Sequence, residues 1–380
     1  MDLVLSRGLH AGHLTVIGRD GRARTFEGER PGPKAVVELK TPHAARRTVA
    51  GGSLGLAEAY MDGAWDTPDL DAVLSLGVAN MNPAPTRTTL LTPLARAWHA
   101  LRDNDIEGSR KNISHHYDLG NDFYRLWLDS TMTYSSAIFS DTDDDLTAAQ
   151  LRKWDRLLET LDPKSTDHVL EIGCGWGGFA IHAARETGCH VTGLTLSAEQ
   201  HAWATRAVEE AGLDGQVDIR LQDYRHVPEK FTHIASIEMF EAVGERWWPV
   251  FFRRVRELLP QGGAAALQVI TIEEPRFEDY RNHPDFIQRH IFPGGMLPSP
   301  ERFADSASSE GLQVGEPAFF GPSYARTLAE WRQRFEAAAP HVRTLGFDER
   351  FIRMWRYYLA YCQAGFSGGT IDVMQVRLGG

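Results

Sequence analysis

The stretch that decides the fold is "VLEIGCGWGGF", Val169 to Phe179. An apolar run ends in Gly173, and Gly175, Gly177 and Gly178 follow before the next apolar side chain. Glycines at the end of a strand let backbone approach a ligand at the mouth of the following helix, where side chains would collide. Gly173, Gly175 and Gly178 also satisfy the GxGxxG dinucleotide fingerprint. That fingerprint wants an acid about 20 residues past its first glycine, to hold a ribose hydroxyl. Gly193-Leu194-Thr195 stand there instead, which leaves a nicotinamide cofactor as a minor alternative.

Outward from the loop, strands and helices alternate from about Lys153, the pattern of a parallel sheet. "DHVLEI" reads as the first strand and "FAIHAARET" as its helix; "HVTGLTL" and "AEQHAWATRAVEEAG" repeat the unit. "VDIRLQD", "HIASIEMF" and "AALQVIT" supply further strands, with the helix "WWPVFFRRVRELL" before the last of these. Residues 273–300 are too irregular and proline-rich for a simple crossover and read as an inserted substrate-pocket element. Helices around Leu328–Ala338 and Asp348–Ala364 precede a closing strand, "IDVMQVRL".

Upstream, "HLTVIGRDGRARTFEG" alternates on both sides of Asp20-Gly21, a hairpin signal, and "AVVELK" offers another strand. "GGSLGLAEAYMDGAW" gives a glycine turn and a short helix. A proline-bearing linker then leads to "LARAWHALR", with Arg96 and Arg102 on the polar side of a helical pattern and Arg110 and Lys111 soon after. This segment is either a solvated helix or a basic amphipathic one that meets an anionic membrane.

At 380 residues the chain exceeds the usual single-domain size. Its 42% hydrophobic and 24% charged residues are those of an ordinary globular protein. No apolar run approaches the roughly 20 residues that span a bilayer. Cys174, Cys189 and Cys362 form neither a disulfide framework nor a metal-ligand spacing, so a cytoplasmic location and no metal site are expected. A formal net charge of -11 argues against general nucleic-acid binding.

Three stretches follow strand ends. In "TLSAEQ", Ser197 and Gln200 have capping-box spacing, so they either start a helix or face a cofactor. In "QDYR", Asp223 and Tyr224 form a surface turn or bracket an adenine through a hydrogen bond and a ring face. "HIASIEMFEAVGERWW", His233 to Trp248, carries two acids, Glu238 and Glu241, where a strand ends.

Glu171, two residues before the first glycine, matches the E/D-x-G-x-G motif of S-adenosylmethionine (SAM) methyltransferases, where the acid helps place the amino-acid end of the cofactor. With "NISHHYDLGNDFYRLWLDSTMTYSSAIF", "VTGLTLSAEQ", "IEMFEAVG", "IQRHIFPGGMLPS", "YARTLAEW" and "YYLAYCQAGF", running in order to the C-terminus, the chain resembles the cyclopropane-fatty-acid synthase family. "GSLGLAEAYMDGAWD" matches its longer, phospholipid-acting members.

The resemblance implies a Rossmann-like α/β SAM-dependent methyltransferase fold, a seven-stranded mostly parallel sheet, with a smaller N-terminal α+β domain. The expected boundaries are 1–85 for that domain, 86–111 for the linker and basic helix, and 112–380 for the methyltransferase domain, with an acyl-pocket insertion at about 273–345. It implies that Tyr134, Ser135, the glycine loop, Thr195, Leu196, Gln200, Gln222, Asp223 and Tyr224 hold SAM. It also implies methyl transfer to the cis double bond of a phospholipid acyl chain, by a protein peripheral to the inner face of the membrane, acting as a homo-oligomer or with a partner enzyme. Attack by the alkene leaves a carbocation, for which Tyr117, Phe123, Tyr134, Phe240 and Tyr358 offer π-faces. A base must then take a proton, giving a cyclopropane if the ring closes or a methylene branch if it does not.

Family members hold bicarbonate as that base. Carried over, its holders are Glu241, Tyr358, the backbone at Ser136 and, with Ile272 as the family isoleucine, a histidine position that is Ile270 here. Gln268, on the same strand face as Ile270, is a candidate for the missing hydrogen bond or bonds neighbouring backbone instead. Glu238 stands where familiar members have a small or uncharged residue. A small-molecule O- or N-methyltransferase and a non-catalytic lipid- or SAM-binding subunit are the competing readings.

Overall fold

The structure, a computed structural model, describes residues 9–81, 119–140 and 145–380. The linker, the basic segment with Arg96, Arg102, Arg110 and Lys111, and Tyr117 lie outside the described residues.

The N-terminal unit is a four-stranded sheet, β1 (Ala11–Ile17), β2 (Ala23–Glu27), β3 (Arg30–Leu39) and β4 (Trp65–Asp66), in the order β2-β1-β3-β4. β1 and β2 form the hairpin turned at Asp20-Gly21, while β3 lies parallel to β1. The helix Ala44–Met61 begins earlier than the glycine turn suggested, and Gly52, at φ 57°, kinks it instead of starting it. A second helix, Leu70–Ala79, is capped by the Asp69 carboxylate, which accepts from the Ala72 amide.

The main sheet contains β5 (His168–Ile172), β6 (His190–Thr195), β7 (Val217–Leu221), β8 (His233–Ile237) and β9 (Ala264–Ile272), all parallel in the order β9-β8-β5-β6-β7. The central strands are largely apolar because helices cover both faces, and Val169 and Leu170 of β5 are fully buried, whereas the edge strand β7 carries Asp218 and Arg220. The short β10 (Gln313–Val314) and β11 (Ala318–Phe319) both pair antiparallel with β12 (Ile371–Gly379), which pairs antiparallel with β9. The sheet thus counts eight strands rather than seven. The extra one arises because Pro317, which has no N–H, interrupts a single edge strand between β10 and β11.

From β5 the chain winds outward through β6 and β7, then returns to the other side of β5 to form β8. Strand order therefore reverses between β5 and β8, and the crevice outside their carboxyl ends is where such sheets bind ligands. Gly173 follows β5 at that point, and Glu238 follows β8.

Two long helices, Gly321–Thr344 and Glu349–Ser367, pack over this edge and join the N-terminal unit to it. The Arg353 guanidinium donates to the carbonyls of Tyr60 at 2.5 Å and Trp65 at 2.9 Å and lies over the Tyr60 ring, 3.9 Å from its centre. Arg350 pairs with Asp62 at 2.8 Å, and Arg332 pairs with Asp71. Tyr60, Trp65 and Leu74 share one core with Phe123, Trp127, Trp355 and Tyr357.

Candidate active site

A cavity of about 530 Å³ opens from the switch point. Its floor is the glycine loop and the ends of β6 to β9, and its far walls come from the late helices and the segment around Ile287–Ile291, a single π turn. The N-terminal unit contributes Ser53, Val78 and Met81. Much of the wall is apolar, including Ile270, Ile272, Phe292, Met296, Leu328 and Phe366.

On the cofactor side, Gly173 and Gly175 line the cavity at φ 87° and 52°. A Cβ on Gly173 would come within 2.7 Å of Met239 Cγ, so this turn requires glycine on two counts. Gly177 stands behind the wall, at the N-terminus of the helix Gly178–Thr187 and against Ala204. Glu171 faces the cavity and is buried, and among the described residues its Oε2 has no hydrogen-bond partner. Burial pushes its carboxyl up to about 8, against the pull of Lys153 and the Ala180 amide. A buried acceptor with nothing to accept from suits a ligand ammonium group such as the amino-acid end of SAM carries.

Thr195, Leu196 and Gln200 also line the cavity. Ser197 Oγ caps its helix by accepting from the Gln200 amide, as the capping-box spacing predicts, while the Gln200 side chain accepts from Thr195 Oγ1 at 2.9 Å. Gln222, Asp223 and Tyr224 follow on the wall. Burial works to raise the Asp223 carboxyl, but Arg225, bidentate at 2.9 and 2.7 Å, holds it below its ordinary range. The Tyr224 ring packs edge-on against Phe251.

Tyr134 and Ser135 are on the wall as well. Ser135 Oγ accepts from Lys153 Nζ at 2.7 Å, and Nζ also donates to Gln150 Oε1 at 2.6 Å. Burial lowers this lysine to about 7, with Glu238, Asp129 and Glu171 pulling the other way. The charged Lys153 escaped the sequence reading. Its signal was its spacing, since Leu146, Ala149, Gln150, Lys153 and Leu157 make one buried helical stripe.

The two acids after β8 differ sharply. Glu238 sits at φ 50°, a left-handed conformation rare for a side-chain-bearing residue, and is half-buried. Its Oε1 accepts from the Ser136 amide at 2.8 Å and from Gln268 Nε2 at 2.7 Å, and its Oε2 accepts from Tyr324 Oη at 2.6 Å. Glu241 Oε1 accepts from the Ile270 amide, and among the described residues Oε2 has no partner. Burial, and then the neighbouring Glu238, push Glu241 up to about 8.

Both acids line the cavity, whereas Ser136 and Gln268 stand behind the wall and reach Glu238 from there. Tyr358 lines the cavity but hydrogen-bonds Tyr134 Oη at 2.7 Å; the tyrosine that meets an acid is Tyr324. Tyr324 opens the "YARTLAEW" stretch, which is where its signal lay. Ile272 is on the wall, with its amide donating to the Pro298 carbonyl at 2.9 Å. Of the aromatic candidates, Phe123 and Phe240 are packed in the cores and do not line the cavity.

Known proteins are similar to this chain over most of its length. Tuberculostearic acid methyltransferase UfaA1 of Mycobacterium tuberculosis is 41% identical over 344 residues, covering 88% of this chain and 80% of the relative. The cyclopropane-fatty-acyl-phospholipid synthase of Escherichia coli is 37% identical over 350 residues, 90% of this chain and 87% of the relative. Among solved structures, the mycolic acid cyclopropane synthase CmaA1 complexed with SAH and CTAB superimposes with a TM-score of 0.67 at 32% identity, covering 71% of this chain and 97% of that one. A family model, that of mycolic acid cyclopropane synthetase, matches residues 105–376, and the chain belongs to that family.

Proposed function

We propose that this protein is a SAM-dependent methyltransferase that adds a methyl-derived carbon to the cis double bond of an unsaturated fatty acyl chain in membrane phospholipid, forming a cyclopropane. The carrying observation is one cavity in which the glycine loop and the open Oε2 of Glu171 meet apolar walls and a half-buried pair of acids. SAM supplies an electrophilic methyl group. An alkene is a weak nucleophile, so the protein's contribution is to hold the two partners in line and keep water out. Glu171 and the loop would anchor the amino-acid end, Gln222 to Tyr224 the adenosine end, and the Ile270, Phe292 and Leu328 region the hydrocarbon. The aromatic rings of Tyr134 and Tyr358, joined through their hydroxyls, lie on the wall where positive charge develops on the chain.

No helix among the described residues is long and apolar enough to cross a membrane. A second product is favoured by a specific observation, the 41% identity to a tuberculostearic acid methyltransferase. On that reading the same transfer ends in a methylene branch. Purified protein with labelled SAM and oleoyl-phospholipid vesicles should place label in the recovered fatty acids; unlabelled fatty acids would refute the assignment. Catalytic hydrogenation then separates the products, since a methylene is reduced under conditions a cyclopropane resists.

A further inference from the structure

Two of the groups carried over for a bound bicarbonate are already engaged: the Ser136 amide and the Gln268 side chain both donate to Glu238. Tyr324, which the resemblance does not assign, adds a third hydrogen bond at 2.6 Å. These donors come from three separate segments and converge on one planar O–C–O group. A carboxylate has the same shape as the corresponding half of bicarbonate. Gln268 is oriented for this contact: its Oε1 accepts from Gln375 Nε2 at 3.0 Å, which turns its amino group toward Glu238. The backbone contributes too, because the Glu238 amide donates to the Gln268 carbonyl at 2.8 Å and fixes the φ of 50° that aims the side chain. Strain of this kind persists where the surroundings enforce it, and it clusters at functional sites.

Resting on the methyl-transfer reading above, we propose that the Glu238 carboxylate is the proton acceptor of the reaction, in place of a bicarbonate ion drawn from solution. The alkene π pair takes the methyl carbon and the C–S pair departs with sulfur, leaving a cation on the neighbouring chain carbon. Glu238 Oε2, which accepts a single hydrogen bond from Tyr324, takes a proton from the transferred methyl group. The released C–H pair closes the three-membered ring, or forms the methylene double bond if a hydride has first shifted to the cationic carbon. Glu238 ends the step as a carboxylic acid and returns its proton to solvent.

The neighbouring acid supports the choice between the two. Like charges this close disfavour double ionisation, and three donors serve Glu238 while one serves Glu241. Glu238 is therefore the one held as carboxylate, with burial keeping its basicity above that of an exposed acid. Glu241, left protonated, does not compete for the proton.

The test uses the full-length protein with labelled SAM and oleoyl-phospholipid vesicles, in buffer freed of carbon dioxide and in the same buffer with sodium bicarbonate added. The wild type should turn over at the same rate in both. Glu238→Gln should lose about 10²- to 10⁴-fold in rate, the span of a general base, while its SAM affinity by equilibrium dialysis stays within about threefold. Glu238→Ala leaves an anion-sized space among the same donors, so bicarbonate or formate should restore part of its rate. A wild type that stalls without carbon dioxide and recovers with bicarbonate overturns the proposal, as does Glu238→Gln with near-normal turnover. If the variants do not fold, the wild-type bicarbonate dependence decides alone. A wild type that labels no fatty acid under either condition refutes the methyl-transfer reading itself, a distinct result.

Discussion

Single buried acids give this site measurable proton chemistry. Glu171, raised to about 8 by burial, is mostly protonated at neutral pH in the ligand-free protein. A ligand ammonium group beside it favours the carboxylate, so SAM binding near pH 7 should release close to one proton. Calorimetric titrations in buffers of different ionisation enthalpy would reveal this release, and Glu171→Gln should abolish it while weakening SAM binding about 10- to 100-fold, the worth of a charge-assisted hydrogen bond. Glu241 gives a second test, on stability. Its carboxyl rises from 4.5 to about 8 on folding, chiefly through burial, so between those values the folded chain binds more protons than the unfolded one. Its contribution is therefore full below pH 4.5 and is lost as pH climbs towards 8. Glu241→Gln keeps the acceptor for the Ile270 amide but cannot ionise. Its urea-unfolding stability relative to wild type should grow with pH across that window, by at most about 1.4 kcal/mol per pH unit. A difference that stays flat with pH would contradict a buried, protonated Glu241.

Among elements, the glycine loop was the most legible part of the chain, because φ and steric demands act on residues adjacent in sequence. The strands around it were legible for the same local reason. Gly173→Ala should cost about 1–3 kcal/mol of stability and weaken SAM binding. Trimming Met239 as well, in Gly173→Ala with Met239→Ala, should recover only part of this, since the φ of 87° remains after the contact at 2.7 Å is removed. What sequence could not display is convergence across distant segments. Ser136, Gln268 and Tyr324 are spread over nearly half the chain: the β8–β9 pairing sets Gln268 opposite Ile237, beside Glu238, while Ser136 and Tyr324 of the helix Gly321–Thr344 reach it from two other segments. Glu238 thus read as an anomaly at a strand end. Lys153 is a similar case, a charged residue placed by its helix into an apolar stripe. Its positive charge lowers the carboxyls of Glu171 and Glu238 towards ionisation. Lys153→Met should fold, since the site is already dry, and should move the acid limb of the rate profile to higher pH. An unmoved limb would show that Lys153 merely fills space.

At the scale of the whole molecule, the N-terminal unit matters because it completes the cavity. Ser53, Val78 and Met81 reach the wall from the N-terminal unit, while Glu171, Gly173, Thr195 and Asp223 line it from the main sheet and the turns after its strands. The two ends of the site are therefore separable by mutation. Arg353 is the strongest tie between the units: its guanidinium satisfies the Tyr60 and Trp65 carbonyls and stacks on the Tyr60 ring. Arg353→Ala removes these charge-assisted bonds and leaves two carbonyls in a part-buried seam, which should cost about 2–3 kcal/mol by urea unfolding. The loosened unit should admit water and hold the acyl chain poorly. Methyl transfer to vesicle phospholipid should then fall at least tenfold through a higher apparent KM for lipid, while SAM affinity by equilibrium dialysis stays within about twofold. Equal losses in lipid and SAM binding would mean that the seam supports the sheet edge as a whole, and that the N-terminal unit has no separate part in holding the lipid.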